Sequence, residues 1–238
     1  MRVALFVSCL VDQVWPEVGR ATVDVLERAG CEVEFDPRQT CCSQPAFNSG
    51  YRGEARKVAG QFLEVFRDAE AIVVPSGSCT AMIRHLPELY EKHDERHAIA
   101  ERVAERVHEL GSFLVRHLDV RDLGACFPGR VTWHDACHGL RDLGIRDEPR
   151  QLLAHVRELE LVELDAAESC CGFGGTFSVK YPEISTAILD RKLEELPDKG
   201  IDALVSGDVS CLTQIGGRLQ RCGSPVRTLH LAQVLASR

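Results

Sequence analysis

The sequence is poor in aromatic residues, has no surplus of positive charge and contains no long apolar run. Phe, Trp and Tyr make up 6% of the 238 residues, and the net charge at pH 7 is −8. Nucleic acids and anionic membranes attract basic surfaces, so this charge argues against both as partners. No stretch approaches the roughly 18 uninterrupted apolar residues of a membrane-spanning helix. We therefore expect no transmembrane segment and no nucleic-acid partner.

The first residues do not have the pattern of a secretory leader. They contain a single basic residue and a short apolar run, and Asp12 and Glu17 follow soon after. A signal peptide would continue apolar and would then offer small residues for cleavage. We therefore predict that this segment is the first β-strand of a cytoplasmic protein. An apolar content of 45% is typical of a globular chain.

Cysteine is the residue type that stands out. There are eleven, an odd number, in a chain predicted to be cytoplasmic, where structural disulfides are rare. Metal binding or redox chemistry is therefore favoured. Eight of the cysteines form two sets in the same order and at similar spacing, about 130 residues apart. The sets are Cys9, Cys41, Cys42 and Cys79, and Cys137, Cys170, Cys171 and Cys211. Cys31, Cys126 and Cys222 have no counterparts and are predicted to be small buried hydrophobic residues.

The residues around the two sets also repeat. Short apolar or alternating runs predict strands at residues 3–7, 31–35, 71–74, 131–133, 160–164 and 203–205. Helical periodicity lies between them, at residues 17–29, 53–68, 149–159 and 183–196. Strand–helix alternation is typical of α/β folds with parallel sheets. We predict two similar parallel-sheet lobes formed by internal duplication, residues 1–122 and 123–238.

Each cysteine of the two sets follows a predicted strand. The carboxyl ends of parallel strands meet at one edge of a sheet, so the four thiols of each set are expected to converge there. Four thiolates suit an iron–sulfur cluster. Zinc also accepts four thiolates, but its structural sites usually contain Cys-x₂₋₄-Cys pairs, and the chain has no Cys-x-x-Cys. A zinc-binding structural module remains an alternative.

Two stretches of the second half are distinctive: HDACHGLR at residues 134–141 and ESCCGFGGTF at residues 168–177. The tandem pattern Cys…Cys-Cys-Gly…Cys resembles the cysteine-rich CCG domain that occurs in heterodisulfide reductase and in the glycolate oxidase iron–sulfur subunit. It is most similar to the lactate utilization protein A family, which has about this length and consists of two CCG units. The resemblance covers essentially the whole chain.

Three positions depart from the CCG pattern. Ser43 follows the first cysteine pair where the motif has Gly, and Ser76 and Asp208 stand where it has the first Cys of a final Cys-x-x-Cys. In the reductase, five thiolates hold a noncubane [4Fe-4S] cluster. Four thiolates per unit leave open a cubane cluster, a cluster in only one unit, or ligation by the serine or the aspartate.

The resemblance implies an iron–sulfur electron-transfer subunit of a complex that oxidises L-lactate, or a related 2-hydroxy acid such as glycolate, to the 2-oxo acid. The eight cysteines of the two sets would hold one or two [4Fe-4S] clusters per chain. A ferredoxin-type iron–sulfur subunit and a third subunit would be the partners, so this oxidoreductase subunit would need both for activity. The alternative from the same resemblance is a thiol–disulfide reductase similar to heterodisulfide reductase.

Polar residues flank Cys137. We expect His134 and His138 to hydrogen-bond to the cysteines that bind iron or to donate protons. The alternative is a purely structural role at the edge of the sheet. Arg141 could bind a substrate carboxylate or could be a surface cation. The remaining histidines on charged helical segments are expected to be solvated: His85, His93, His97, His108, His117 and His155.

Overall fold

The computed structural model describes residues 1–194 and 196–238 and contains two four-stranded parallel sheets. The first has the order β2-β1-β3-β4, with β1 Arg2–Leu5, β2 Glu32–Glu34, β3 Ile72–Val74 and β4 Val107–Glu109. The second has the order β6-β5-β7-β8, with β5 Cys126–Trp133, β6 Arg157–Leu161, β7 Ala203–Ser206 and β8 Arg227–His230. The predicted α/β class, with two similar parallel-sheet lobes, is confirmed.

Helices connect the strands in the same order in both halves. The first half contains α1 Cys9–Val14, α2 Pro16–Arg28, α3 Gln44–Asn48, α4 Arg52–Phe66, α5 Gly77–Arg84, a 3₁₀ turn at Leu86–Leu89, α6 Glu95–Arg106, α7 Leu110–Ser112 and a π-helical turn at Phe113–His117. The second contains α8 Cys137–Arg141, α9 Asp147–Leu153, α10 Thr176–Lys180, α11 Pro182–Leu193, α12 Leu196–Lys199, α13 Val209–Arg221 and α14 Leu231–Ala236. Within the described residues, none of these helices has the length and apolar character needed to cross a membrane.

The local sequence explains where several of these elements begin and end. Pro16 occupies the first turn of α2, where its missing N–H leaves no hydrogen bond unmade. Gly30, at φ +82°, follows the end of that helix. His230 and Gln233 form a capping box at the start of α14. All three residues of β3 are buried, as expected for a central strand of a parallel sheet covered on both faces.

Two predicted elements of the second half are displaced. The strand predicted at residues 160–164 lies at Arg157–Leu161, and the helix predicted at 149–159 ends at Leu153. Leu159 and Leu161 contact one apolar cluster, whereas Val162 and Leu164 contact another on the far side of the sheet. The apolar pattern therefore continues past the end of the strand. The helix predicted at 183–196 ends at Leu193, and Glu195 lies outside the described residues.

The largest apolar cluster joins the two halves. It contains Val25 and Leu26 of α2 together with Trp133 of β5 and Leu231 and Leu235 of α14. Arg28 of α2 also donates a hydrogen bond to the carbonyl oxygen of Ala236 at 2.7 Å. The closing helix of the second half therefore packs on the first half.

The reciprocal contact is also present. The last helical segment of the first half, α7 and the π-helical turn that follows it, packs against α9 of the second half. Arg116, in that π-helical turn, donates to the carbonyl oxygen of Gly144 at 2.6 Å and forms an ion pair with Glu148. The last helical segment of each half therefore packs against the other half; we call these two segments, α14 and α7 with its π-helical turn, the closing helices. The boundary at residues 122/123 stays a prediction.

Candidate functional site

The first cysteine set lies at the carboxyl edge of the first sheet. Cys9 begins α1, Cys41 and Cys42 lie between β2 and α3, and Cys79 is in the first turn of α5. The Sγ atoms of Cys9 and Cys41 are 3.9 Å apart, and those of Cys42 and Cys79 are 3.4 Å apart. The loops therefore bring together thiols that are widely separated in the chain.

Negative charge in this set collects on one sulfur atom. Hydrogen bonds from the thiols of Cys42 and Cys9 lower the pKa of Cys41 to about 3. The same interactions, together with burial, raise the pKa values of Cys9 and Cys42 above the ordinary thiol value. Cys41 is half-buried, whereas Cys42 is buried. The first set is therefore a thiolate with neighbouring thiol donors, which is a suitable starting point for metal binding.

The second set has the corresponding position in the second sheet. The Sγ atoms of Cys171 and Cys211 are 3.2 Å apart, and both residues are buried. The N–H of Gly172 donates to Sγ of the exposed Cys170 at 3.3 Å. Cys137 is half-buried, and burial, followed by the nearby Cys170, raises its pKa. One thiol of this set therefore faces solvent while two lie beneath it.

Of the two histidines predicted to support the second set, one is deeply buried. His134 follows the end of β5 and is only 1% exposed, and neither ring nitrogen makes a well-formed hydrogen bond among the described residues, although the backbone carbonyl of Ala167 lies near the ring. A ring nitrogen of His134 and the Sγ atoms of Cys171 and Cys211 all lie within 4.8 Å of one another. His138 is half-buried, and its Nδ1 is 3.5 Å from Sγ of Cys137. Both histidines thus lie beside cysteines of the set.

Lys192 is a residue that the sequence analysis missed. Its side chain is buried in α11 and donates to the carbonyl oxygens of Ala166 and Ala167 at 2.7 and 3.1 Å. Burial lowers its pKa to about 8, although the neighbouring Cys171 and Cys211 favour the charged form. A signal was present, because Lys192 falls on the same helical face as Ser185 and Leu189, where an apolar residue is expected.

The other polar residues near Cys137 have different surroundings. Asp135 is buried, receives two hydrogen bonds from Arg150 at 3.0 and 2.8 Å, and accepts one from the indole N–H of Trp133 at 2.8 Å. These contacts anchor the end of β5 beneath the cysteine loop. Arg141 is exposed, and its positive charge lowers the pKa of Cys137, whereas burial and the nearby Cys170 raise it.

Ser76 and Asp208, the two residues that depart from the Cys-x-x-Cys pattern, contact each other across the two halves. The Ser76 hydroxyl donates to Oδ2 of Asp208 at 3.3 Å, and the same oxygen accepts the N–H of Ser78 at 2.7 Å. The other carboxylate oxygen accepts the N–H of Ser210 at 3.0 Å. The Asp208 carboxylate therefore caps the N-termini of α5 and α13, the helices that carry Cys79 and Cys211.

The three cysteines outside the sets differ in burial. Cys31 is buried in the apolar cluster shared by the halves, as predicted. Cys126 is half-buried, with Sγ 3.6 Å from a carboxylate oxygen of Glu158, and Cys222 is exposed, so the prediction of burial is wrong for these two. His108 was expected to be solvated, but it lies half-buried in β4 beside Phe113, and burial lowers its pKa to about 4. All eleven cysteines, each within the described ranges, are free thiols.

The donor atoms fit a thiophilic metal centre. Thiolates that share one metal ion at about 2.3 Å lie about 3.8 Å apart. The two sulfur pairs of the first set, at 3.9 and 3.4 Å, are near this separation, and Cys171 and Cys211 are somewhat closer at 3.2 Å. Soft sulfur donors select zinc, copper(I) or iron–sulfur clusters over magnesium and calcium. A buried imidazole that makes no well-formed hydrogen bond among the described residues, beside two of the thiols, is a further donor that a metal would satisfy.

Two parallel α/β lobes, each with four cysteines at its carboxyl edge, define a tandem cysteine-rich protein. In agreement, the CCG cysteine-rich domain matches residues 3–84 and again residues 131–216. The chain is 49% identical to lactate utilization protein A of Geobacillus kaustophilus (strain HTA426) and 47% identical to that of Bacillus subtilis (strain 168), in each case over 100% of both chains. It belongs to the lactate utilization protein A family of tandem CCG proteins.

A solved structure shares the fold without close sequence similarity. A hypothetical protein from Helicobacter pylori matches 98% of this chain with a TM-score of 0.62 and 13% identity. The chain spans about half the length of that protein, 48%. At this identity the likeness shows the fold alone.

Proposed function

We propose that this chain is the iron–sulfur electron-transfer subunit of a cytoplasmic complex that oxidises L-lactate, or a related 2-hydroxy acid, to the 2-oxo acid. The observation that carries the proposal is that cysteines far apart in the chain lie as close sulfur pairs at the carboxyl edge of each sheet: Cys9 with Cys41 and Cys42 with Cys79 in the first, and Cys171 with Cys211 in the second. The curated relatives named lactate utilization protein A support the lactate role. A ferredoxin-type iron–sulfur subunit and a third subunit would be the partners.

The residues of the chain would have distinct tasks around a bound group. The two cysteine sets would each hold one iron–sulfur cluster, which supplies one-electron transfer when bound. The N–H of Gly172, already bonded to Sγ of Cys170, would stabilise negative charge on the ligand sulfur. Buried Cys42, Cys79, Cys171 and Cys211 would exclude water from one side of each site. Half-buried Cys9 and Cys41 and exposed Cys170 would leave the other side open to a redox partner.

A zinc-binding structural module is the second candidate. The grouping of His134, Cys171 and Cys211 within 4.8 Å provides three of the four donors that a structural zinc site needs. The adjacent cysteines favour a multi-iron cluster instead. Adjacent thiolates can bind different iron atoms of a cluster, whereas a single tetrahedral zinc ion requires both sulfur atoms to point toward it.

Anaerobic purification followed by metal, sulfide and absorption measurements tests the proposal. We expect a brown protein with iron and acid-labile sulfide in comparable amounts. Cys171→Ser should lower the iron content of the second site, whereas Cys222→Ser, which changes an exposed cysteine outside both sets, should leave iron unchanged. In the presence of the partner subunits, L-lactate should bleach the visible absorption. A colourless protein that contains zinc and no sulfide would establish the second candidate in its place.

A further inference from the structure

The duplication allows the surroundings of the two cysteine sets to be compared position by position. In the first sheet Leu5 pairs with Val73, and in the second Trp133 pairs with Val205. The residues that follow, Phe6 and His134, are therefore equivalent, and each lies three positions before the first cysteine of its set. Both are almost completely buried.

The helix that covers each set can be aligned in the same way. Helices α4 and α11 both begin directly after a tyrosine, and when they are aligned from that point they share three buried positions. The shared positions are Ala55, Ala59 and Phe62 in α4, and Ser185, Leu189 and Lys192 in α11; Leu63 and Phe66 of α4 are also buried but have no buried counterpart within α11. Lys192 is therefore the counterpart of Phe62.

An aromatic pair in the first half corresponds to a cationic and imidazole pair in the second. Phe6 and Phe62 contact edge to face, with ring centroids 4.9 Å apart. In the second half these positions hold His134 and Lys192, which are near enough for the lysine charge to act on the imidazole. Because Phe6 and Phe62 fill these two positions in the first half, the fold does not require polar side chains at them. The polar pair of the second half therefore needs a reason other than packing.

The His134 ring makes no well-formed hydrogen bond among the described residues and lies beside the sulfur atoms of Cys171 and Cys211. The carbonyl oxygen of Ala167 is close enough to favour the charged ring, but it already accepts from the N–H of Asp135 and from Lys192. A buried polar group without a partner is unfavourable, so such groups are normally bonded to protein, water or an ion. The thiols at 4.8 Å or less are metal-ligating groups, and imidazole nitrogen is a common ligand of the same metals.

We propose that a ring nitrogen of His134 is a direct ligand, together with Cys171 and Cys211, of the metal centre in the second half, and that buried Lys192 is its countercharge. The two sites of the chain then differ: the first is all-sulfur in an apolar shell, and the second is a mixed nitrogen–sulfur site. The nearby cation favours the reduced, more negatively charged centre, so the second site has the higher potential. The iron-bound form of this inference rests on the proposed function.

The decisive measurement is nitrogen hyperfine coupling in the reduced, anaerobically purified protein. Protein labelled with [¹⁵N]histidine should show a directly coordinated nitrogen in pulsed electron paramagnetic resonance spectra. His134→Phe installs the residue found at the equivalent position of the first half, and it should remove this signal. His155→Phe, which changes an exposed histidine, should retain it. Lys192→Met should keep the nitrogen signal and lower the potential of the second site.

Two outcomes would overturn the inference. One is a wild-type protein that contains iron and sulfide but lacks any coupling to a histidine nitrogen, a result that does not depend on whether the variant folds. The other is retention of the nitrogen signal in His134→Phe. Either would leave the electron-transfer proposal standing.

If the wild-type protein contains neither iron nor sulfide, the electron-transfer proposal fails and Co²⁺ becomes the probe. Co²⁺ added to the reduced protein should then give visible bands typical of mixed nitrogen–sulfur coordination, and His134→Phe should bind it at least about tenfold more weakly. Equal Co²⁺ affinity of the wild type and of His134→Phe would overturn the histidine ligand.

Discussion

At the scale of single residues, the interface between the halves contains a carboxyl group in an unfavourable setting. Glu109 ends β4 and is only 4% exposed, and its Oε2 accepts the N–H of Ser112 at 2.9 Å. Its other oxygen lies against Gly207 of the second half, where an added Cβ would be 3.1 Å away. Burial, together with the nearby carboxylates of Glu148 and Asp208, raises its pKa to about 7. The folded protein therefore holds this proton at pH values where an unfolded chain has lost it.

This pKa predicts how stability depends on pH. The folded value of about 7 lies above the ordinary value of 4.5, so the contribution of Glu109 to stability falls as pH rises from 4.5 and reaches its minimum above 7. The full penalty is about 3 kcal/mol. Glu109→Gln, which preserves an oxygen for the Ser112 N–H, should melt at nearly the wild-type temperature at pH 5. At pH 8.5 it should melt higher, by about 5–10 °C. A melting-temperature difference that does not change with pH would contradict this assignment.

At the scale of elements, the turn after each vicinal cysteine pair has a left-handed conformation. Gly172 has φ +79° and Ser43 has φ +72°. At Gly172 an added Cβ would lie 2.4 Å from the carbonyl oxygen of Ser185 in α11. Ser43 already carries a Cβ at the equivalent position, so the first turn has the space that the second lacks. Its buried hydroxyl has no hydrogen-bond partner in the described chain. The glycine of the Cys-Cys-Gly motif is therefore required by packing in the second unit, where it is Gly172, but not in the first.

The two turns provide a matched pair of substitutions. Gly172→Ala should destabilise the protein by about 3 kcal/mol or more, because both the backbone conformation and the contact with Ser185 are unfavourable. Ser43→Gly should leave stability unchanged or raise it by about 1 kcal/mol, since it relieves the left-handed strain and removes an unpaired hydroxyl. Melting temperatures of the anaerobically purified variants measure both effects. Equal melting temperatures for Gly172→Ala and the wild type would refute the packing argument.

At the scale of the whole molecule, the two halves are joined by far more than the connecting chain. They share one apolar cluster, they exchange their closing helices, and the Asp208 carboxylate caps a helix in each half. The indole N–H of Trp15 also donates to the hydroxyl of Thr213 at 2.9 Å. Neither half buries its own apolar surface completely. The duplicated units are therefore structural repeats that stabilise each other.

This arrangement predicts the behaviour of separated halves. Residues 1–122 and 123–238, expressed individually, should give aggregated protein or protein without a cooperative thermal transition, because each would expose its part of the shared cluster. Co-expression of the two fragments should yield a soluble complex that elutes at the size of the full chain. Circular dichroism and size-exclusion chromatography distinguish these outcomes. A half that melts cooperatively on its own would show that the lobes are independent domains.

The amino-acid sequence by itself determined the class of fold, the duplication and the two sets of four cysteines. These features are legible because apolar periodicity and repeated spacing are local patterns, and each thiol follows a strand whose end is marked in the chain. The displaced β6 and α9 show the limit of local patterns: the four apolar residues between positions 159 and 164 belong to two clusters on opposite sides of the sheet. Only the contacts of the folded chain separate them.

The tertiary structure decided what surrounds the cysteines. The Ser76–Asp208 contact joins residues separated by 132 positions. The nearness of His134, Lys192 and the thiols of Cys171 and Cys211 depends on how α11 packs against the loop at Ala166 and Ala167. Such long-range contacts leave no periodic trace in the chain, because burial depends on elements that pack from elsewhere. The exchange of closing helices is of the same kind. A repeat in the sequence predicts two similar units. Only the packing shows that one cysteine set lies beside an aromatic pair and the other beside a histidine and a lysine, and that the last helical segment of each half packs on the other half.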